Sequence, residues 1–135
     1  MTQSDTRQPR TIAAFSAIAV GGMLVHNALE LGPAFLVSPE TTVPVGLYAV
    51  LTWLVRRPST SAVSRLALLF WALLNLVVGG IVSVLPLGLF PFVPDQSLGH
   101  YGAHAVYAAS QVPLVLVAIR LLHRDRGTLA AGERG

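Results

Sequence analysis

Residues 98–122 read LGHYGAHAVYAASQVPLVLVAIRLL, with no Asp, Glu, Lys or Arg before Arg120. A bilayer core is crossed by ~20 helical residues, so this stretch is long enough to span one. Its polar side chains are not scattered. His100, His104, Tyr107 and Gln111 follow one another at steps of four, three and four, which places all of them on one helix face. A single polar stripe on an otherwise apolar helix is explained by inward packing against other helices rather than by contact with lipid.

The rest of the chain supplies those helices. Three more apolar runs cover about 11–31, 39–55 and 66–85. Ser38-Pro39-Glu40 has the form of a helix start, with a Ser cap, Pro at the first helical position and an acid in the first turn. Pro44 then lies inside the second run and Pro113 inside the fourth, where each is expected to bend its helix. The fold class predicted is an all-α integral membrane protein of four transmembrane helices in an antiparallel bundle. Residues 1–10 and 123–135 form short tails on either side of a single membrane domain, 11–122.

Composition excludes most alternatives. Of 135 residues 53% are apolar and only 11% charged, and the mean hydropathy is +0.65. Soluble domains carry roughly 25% charged residues. A soluble enzyme, a disordered tail and a nucleic-acid reader are therefore poor fits, despite a net charge of +3. All nine basic residues are arginines, clustered between the apolar runs. Arg7 and Arg10 precede the first, Arg56, Arg57 and Arg65 separate the second from the third, and Arg120, Arg124, Arg126 and Arg134 close the chain. The loops at about 32–38 and 86–97 contain none. By the positive-inside rule both termini are cytoplasmic. The expected location is a cell membrane, of the bacterial inner type, with the lipid bilayer as first partner. With no cysteine, disulfides and thiolate metal sites are excluded. A cleaved signal peptide is disfavoured because the first apolar run exceeds the ~7–15 residues of a signal core.

Counting from the arginines at ~1.5 Å per residue puts His26 and His104 about 24 Å up, in the outer half of the membrane. Glu30 and His100 lie one turn further out. His26 and Glu30 are spaced i,i+4, and so are His100 and His104, so each pair shares a face. The candidate metal-ligating set is therefore His26, Glu30, His100 and His104. Asn75, Tyr107 and Gln111 form a second polar layer near mid-membrane, with Ser83 above Asn75 on the third run.

Ionisable groups at such depths are costly, which makes them functional candidates. Three imidazoles and a carboxylate suit Zn, Fe or Cu. Two imidazoles on different helices, such as His26 and His104, suit axial ligation of a b-type haem. A His–Glu pair also suits proton-coupled transport of a small solute, or general acid–base work on a lipid or quinone headgroup. The plainer reading is interhelical hydrogen bonding, with Glu30 and His100 at the interface. That reading suits a non-catalytic accessory subunit of a larger membrane complex, whereas the transporter reading suits a homodimer. Phosphate-binding glycine loops, a Ser–His–Asp order and paired aspartates are missing from the sequence.

In size and in carrying a carboxylate on its first span, the chain resembles the small multidrug-resistance transporters. Glu30, however, lies near the outer end of that span, whereas their key glutamate lies well within it. The uniform arginine bias also opposes dual-topology insertion. Gly21-Gly22 and Gly79-Gly80 are expected at close helix contacts. Trp53 is expected at an aromatic belt beside Arg56, and the apolar loop 86–94 on the outer leaflet or as a cap on the bundle, where it could cover the cluster.

Overall fold

In the computed structural model the described residues are 3–57, 61–88 and 94–132, with side chains described for 10–57, 62–88 and 94–124. Every element among them is helical. Helix α1 (Gln3–Leu31) ends in a 3₁₀ segment (Gly32–Val37), followed by α2 (Pro39–Val55) and α3 (Ser61–Leu74). Helix α3 runs on into a π turn (Asn75–Gly79) and a 3₁₀ turn (Val82–Val84), and α4 (Leu98–Gly132) completes the chain.

Local chemistry accounts for the boundaries. Gly32 has φ +63°, a left-handed conformation that suits glycine, and Pro33 behind it cannot continue the α pattern. Ser38 is extended, Pro39 opens α2, and the Ser38 carbonyl accepts the backbone N–H groups of Thr41 and Thr42 at 3.1 and 2.9 Å. The expected Ser cap is not formed, because the Ser38 hydroxyl donates back to the Phe35 carbonyl at 3.0 Å. The predicted start at 39 and end at 55 are those observed. Helices α2 and α4 both run through their internal prolines. In α3 the Asn75 Nδ2 donates to the Trp71 carbonyl at 2.8 Å, competing for the acceptor that an α turn would use. The chain widens there, and the Gly80 N–H reaches the Asn75 carbonyl, five residues back, at 2.8 Å.

Each long helix packs on two neighbours: α1 on α2 and α4, and α3 on α2 and α4. Ile12, Ala19, Tyr48, Leu68, Ala72 and Leu114 form the centre of the apolar core. Of the two glycine pairs, three residues sit at close approaches. A Cβ at Gly22 would overlap the Ser110 side chain. At Gly79 it would lie 2.9 Å from the Tyr107 ring, and at Gly80 2.9 Å from Ala108 Cβ. Gly21 faces open space. Small residues thus let α4 lie close against α1 and the end of α3.

Three stretches, Arg10–Val37, Ala62–Val84 and Leu98–Arg124, are long and apolar enough to cross a membrane. At 17 residues α2 is shorter than a full crossing. Their outward faces carry large apolar side chains, including Val50, Phe70, Val106 and Leu116. The helices outrun the apolar pattern: α1 begins at 3 rather than 11, and α4 continues to 132 rather than 122. Hydropathy reports which residues lie among lipid tails, whereas the backbone stays helical wherever propensity allows. The predicted third span, 66–85, starts at 61 and leaves regular α geometry at Asn75. Of the predicted loop cap, residues 89–93 lie outside the described residues.

Candidate functional site

One end of the bundle gathers polar side chains from three directions. His26, Asn27 and Glu30 come from the last turns of α1, Glu40 and Thr41 from the first turn of α2, and His100 and His104 from α4. The π turn of α3 contributes the Gly79 carbonyl. A cavity of about 310 Å³ lies among them, lined by both acids, the three histidines, Asn27, Leu31 and Ser83.

All four residues of the candidate set are brought together. His100 Nδ1 donates to Glu30 Oε1 at 2.8 Å. His104 Nδ1 donates to the Gly79 carbonyl at 3.1 Å. His26 Nδ1 donates to Asn27 Oδ1 at 2.9 Å. The Asn27 amide is oriented by its other end, where Nδ2 donates to the Glu40 carbonyl and to Thr41 Oγ1 at 3.2 and 2.7 Å. Since a carbonyl only accepts, the oxygen of Asn27 must be the atom facing His26.

These partners fix the tautomers. Each Nδ1 faces an oxygen that accepts, so each Nδ1 carries its ring's hydrogen, and in the neutral ring Nε2 carries a lone pair. Yet His26 Nε2 and His104 Nε2 lie 3.0 Å apart, rings nearly perpendicular and centroids 4.3 Å apart. Two neutral rings so held bring two lone-pair nitrogens within hydrogen-bond distance with no hydrogen to share between them. A cation between them removes the conflict, either one proton or a metal ion. The third imidazole, His100, stacks edge-on to His104 at 4.5 Å, and its Nε2 is buried with no hydrogen-bond partner. Among the described residues, no group of three or more His, Asp or Glu side chains is arranged to hold a metal ion as the side chains stand.

The middle layer has a different character. Tyr107 Oη donates to Asn75 Oδ1 at 2.6 Å, and Asn75 Nδ2 is taken up by Trp71. Tyr48 Oη donates to Gln111 Oε1 at 2.5 Å, while Gln111 Nε2 donates to the Ala19 carbonyl at 3.0 Å. Nearer the arginine end, Thr52 Oγ1 donates to Ser16 Oγ at 2.7 Å. Trp53 is exposed, with the Arg57 guanidinium 4.0 Å from its ring centroid. His123 is exposed near the far end of α4, away from the cluster.

Sequence reasoning missed Asn27, Tyr48 and the Gly79 carbonyl. Asn27 was legible as an amide beside His26 in an apolar run. Tyr48 counts as apolar in any hydropathy reading, so nothing in the pattern paired it with Gln111. A backbone carbonyl leaves no trace in sequence at all. Comparison of the chain with protein-family models, with curated proteins and with solved structures finds no match.

Proposed function

We propose that the chain is a multi-pass membrane protein, both termini cytoplasmic, whose His/Glu cluster binds one divalent transition-metal ion. The observation that carries this reading is the facing of His26 Nε2 and His104 Nε2 at 3.0 Å with both Nδ1 hydrogens committed elsewhere. Two imidazole nitrogens sharing one tetrahedral zinc lie roughly 3.3 Å apart, given bonds of ~2.0–2.1 Å. The spacing seen is close to that. Ligating histidines typically donate their second N–H to a carboxylate or a backbone carbonyl. Here Glu30 and Gly79 supply one of each, and Asn27 an amide oxygen.

In this reading His26 and His104 are the primary ligands. His100 is the third donor, and its ring must tilt for Nε2 to reach the ion. Glu30 then orients His100 and tempers the ion's charge instead of binding it. The haem alternative has less support: with centroids 4.3 Å apart in edge contact, the His26 and His104 rings leave no slot for a macrocycle between them.

A second reading shares the same observation. A single proton held between His26 and His104 also resolves the conflict, and it would serve proton-linked transport or acid–base chemistry in the cavity. Elemental analysis of detergent-purified protein carrying a histidine-free tag separates the two. Near one zinc, iron or copper per chain, lost in His104→Ala, is the expected result. Metal-free protein that also fails to take up added Zn²⁺ or Co²⁺ overturns the metal reading and leaves the shared proton.

A further inference from the structure

A second cavity, of about 290 Å³, lies between α1 and α2 toward the arginine end and takes no part in the cluster. Ala13 and Ala17 form one wall, Val45 and Ala49 the other, and Trp53 and Arg56 stand at its end. From Val45 to Arg56 it follows eleven residue steps along α2 and its C-cap, about 16 Å. That matches the depth of one leaflet, half of a ~30 Å hydrocarbon core. Ala17, Ala49, Trp53 and Arg56 are all exposed, so the groove opens on the surface of the bundle.

The charge at its end is uncompensated within the described part of the chain. The described carboxylate side chains are those of Glu30, Glu40 and Asp95, and all three stand at the opposite end of the helices. Arg57 is occupied over the Trp53 ring, which leaves Arg56 facing the groove mouth. A mainly apolar channel one leaflet deep, whose lining hydroxyls Ser16 and Thr52 are paired with each other, closed by an indole and a guanidinium, has the chemistry of a phospholipid site. Alkyl chains fill such channels, tryptophan favours the headgroup level, and arginine pairs with phosphate.

We propose that this groove binds one anionic phospholipid, its acyl chain between α1 and α2 and its phosphate on Arg56. The guanidinium answers the headgroup's charge, and the alanine walls make room for the chain. This site is independent of the metal reading above.

Native mass spectrometry of the full-length, detergent-purified protein tests it, with phosphatidylglycerol or phosphatidylcholine of identical acyl chains added in turn. One phosphatidylglycerol is expected to be retained, with a preference over phosphatidylcholine of about fivefold for a single arginine at the membrane surface. Arg56→Gln removes the preference. Ala49→Leu, at an exposed position, fills the groove and weakens binding of both lipids, while Arg120→Gln on α4 changes neither. Circular dichroism melts confirm that each variant is folded. Equal retention of the two lipids, or an unchanged preference in Arg56→Gln, overturns the proposal. So does a dimer that replaces the lipid adduct and is lost in Ala49→Leu, since the groove would then seat a second copy. Displacement of the bound lipid's preference by inorganic phosphate in the absence of acyl chains would make it a bare anion site, which also overturns it.

Discussion

The His/Glu cluster and the buried middle polar layer are both built on α4 and one helical turn apart, yet they are satisfied to different degrees. In the cluster His100 and His104 are buried, His26 is half-buried and Glu30 is exposed. In the middle layer every amide and hydroxyl named above has found its partner. Tyr107 meets Asn75, Asn75 meets the Trp71 carbonyl, and Tyr48 meets Gln111, which meets the Ala19 carbonyl. In the cluster the Nδ1 atoms are equally well served, but the three Nε2 atoms are not: two confront each other and the third has no partner. Buried polar groups are normally paired, so a complete network reads as glue between helices and an incomplete one as a place for something else. The layers adjoin on α4 and both carry polar side chains between helices, and what separates them is hydrogen-bond accounting.

The largest expected effect tests that division directly. His104→Ala removes the nitrogen shared by the pair and the donor to Gly79, so bound metal is expected to fall from near one per chain to none. Elemental analysis of the purified variant checks it. Metal content that survives this change would erase the distinction between the layers. Next in size is Glu30→Gln, which keeps the shape but removes the charge behind His100. Loss of such an outer partner typically costs 10–100-fold in metal affinity. Competition against a chelator of known affinity measures it, and an unchanged affinity would mean that His100 is not a ligand.

How far the sequence leads depends on the feature concerned. The i,i+4 pairs His26/Glu30 and His100/His104 predicted a meeting of four side chains, and they meet, because helical spacing and inward polarity leave few other arrangements. The start of α2 was legible in Ser38-Pro39-Glu40 for the same local reason. The partners of Nδ1 were not. Gly79 reaches His104 with a backbone carbonyl positioned by a π turn, and that turn follows from Asn75 bonding back to Trp71, which no periodicity marks. Glu30 was expected among the ligands from its i,i+4 spacing with His26 and its depth beside His100, since a carboxylate and three imidazoles can fill a metal's coordination sphere. Its oxygen accepts from His100 Nδ1, and only coordinates reveal which nitrogen a partner addresses.

Gln111→Leu probes the satisfied layer. Gln111 is fully buried, and its loss strands the Tyr48 hydroxyl and an acceptor on α1. Polar contacts between helices in lipid average ~0.6 kcal/mol and reach ~1.7 kcal/mol. Because two contacts go at once, a loss toward the upper value is expected, read from helicity during SDS titration. Metal content should not change. A variant that keeps its stability but loses its metal would reverse the roles assigned to the two layers.

The smallest effect is the most discriminating, because it falls on the residue where the layers touch. Tyr107 donates to Asn75 in the middle layer, while its ring lies 5.2 Å from His26 in the cluster. Tyr107→Phe keeps the ring against His26 and removes only the hydroxyl, leaving Asn75 Oδ1 without its donor. If the layers are separate, stability falls by ~0.6 kcal/mol and metal affinity is untouched. If affinity falls with stability, the hydrogen-bond chain continues through Tyr107 into the histidines, and Asn75 and Gln111 belong to the site as well. The π turn gives a physical reason to expect separation. It lets α3 serve both layers with different atoms, the Asn75 side chain below and the Gly79 carbonyl above, so strain at one need not reach the other.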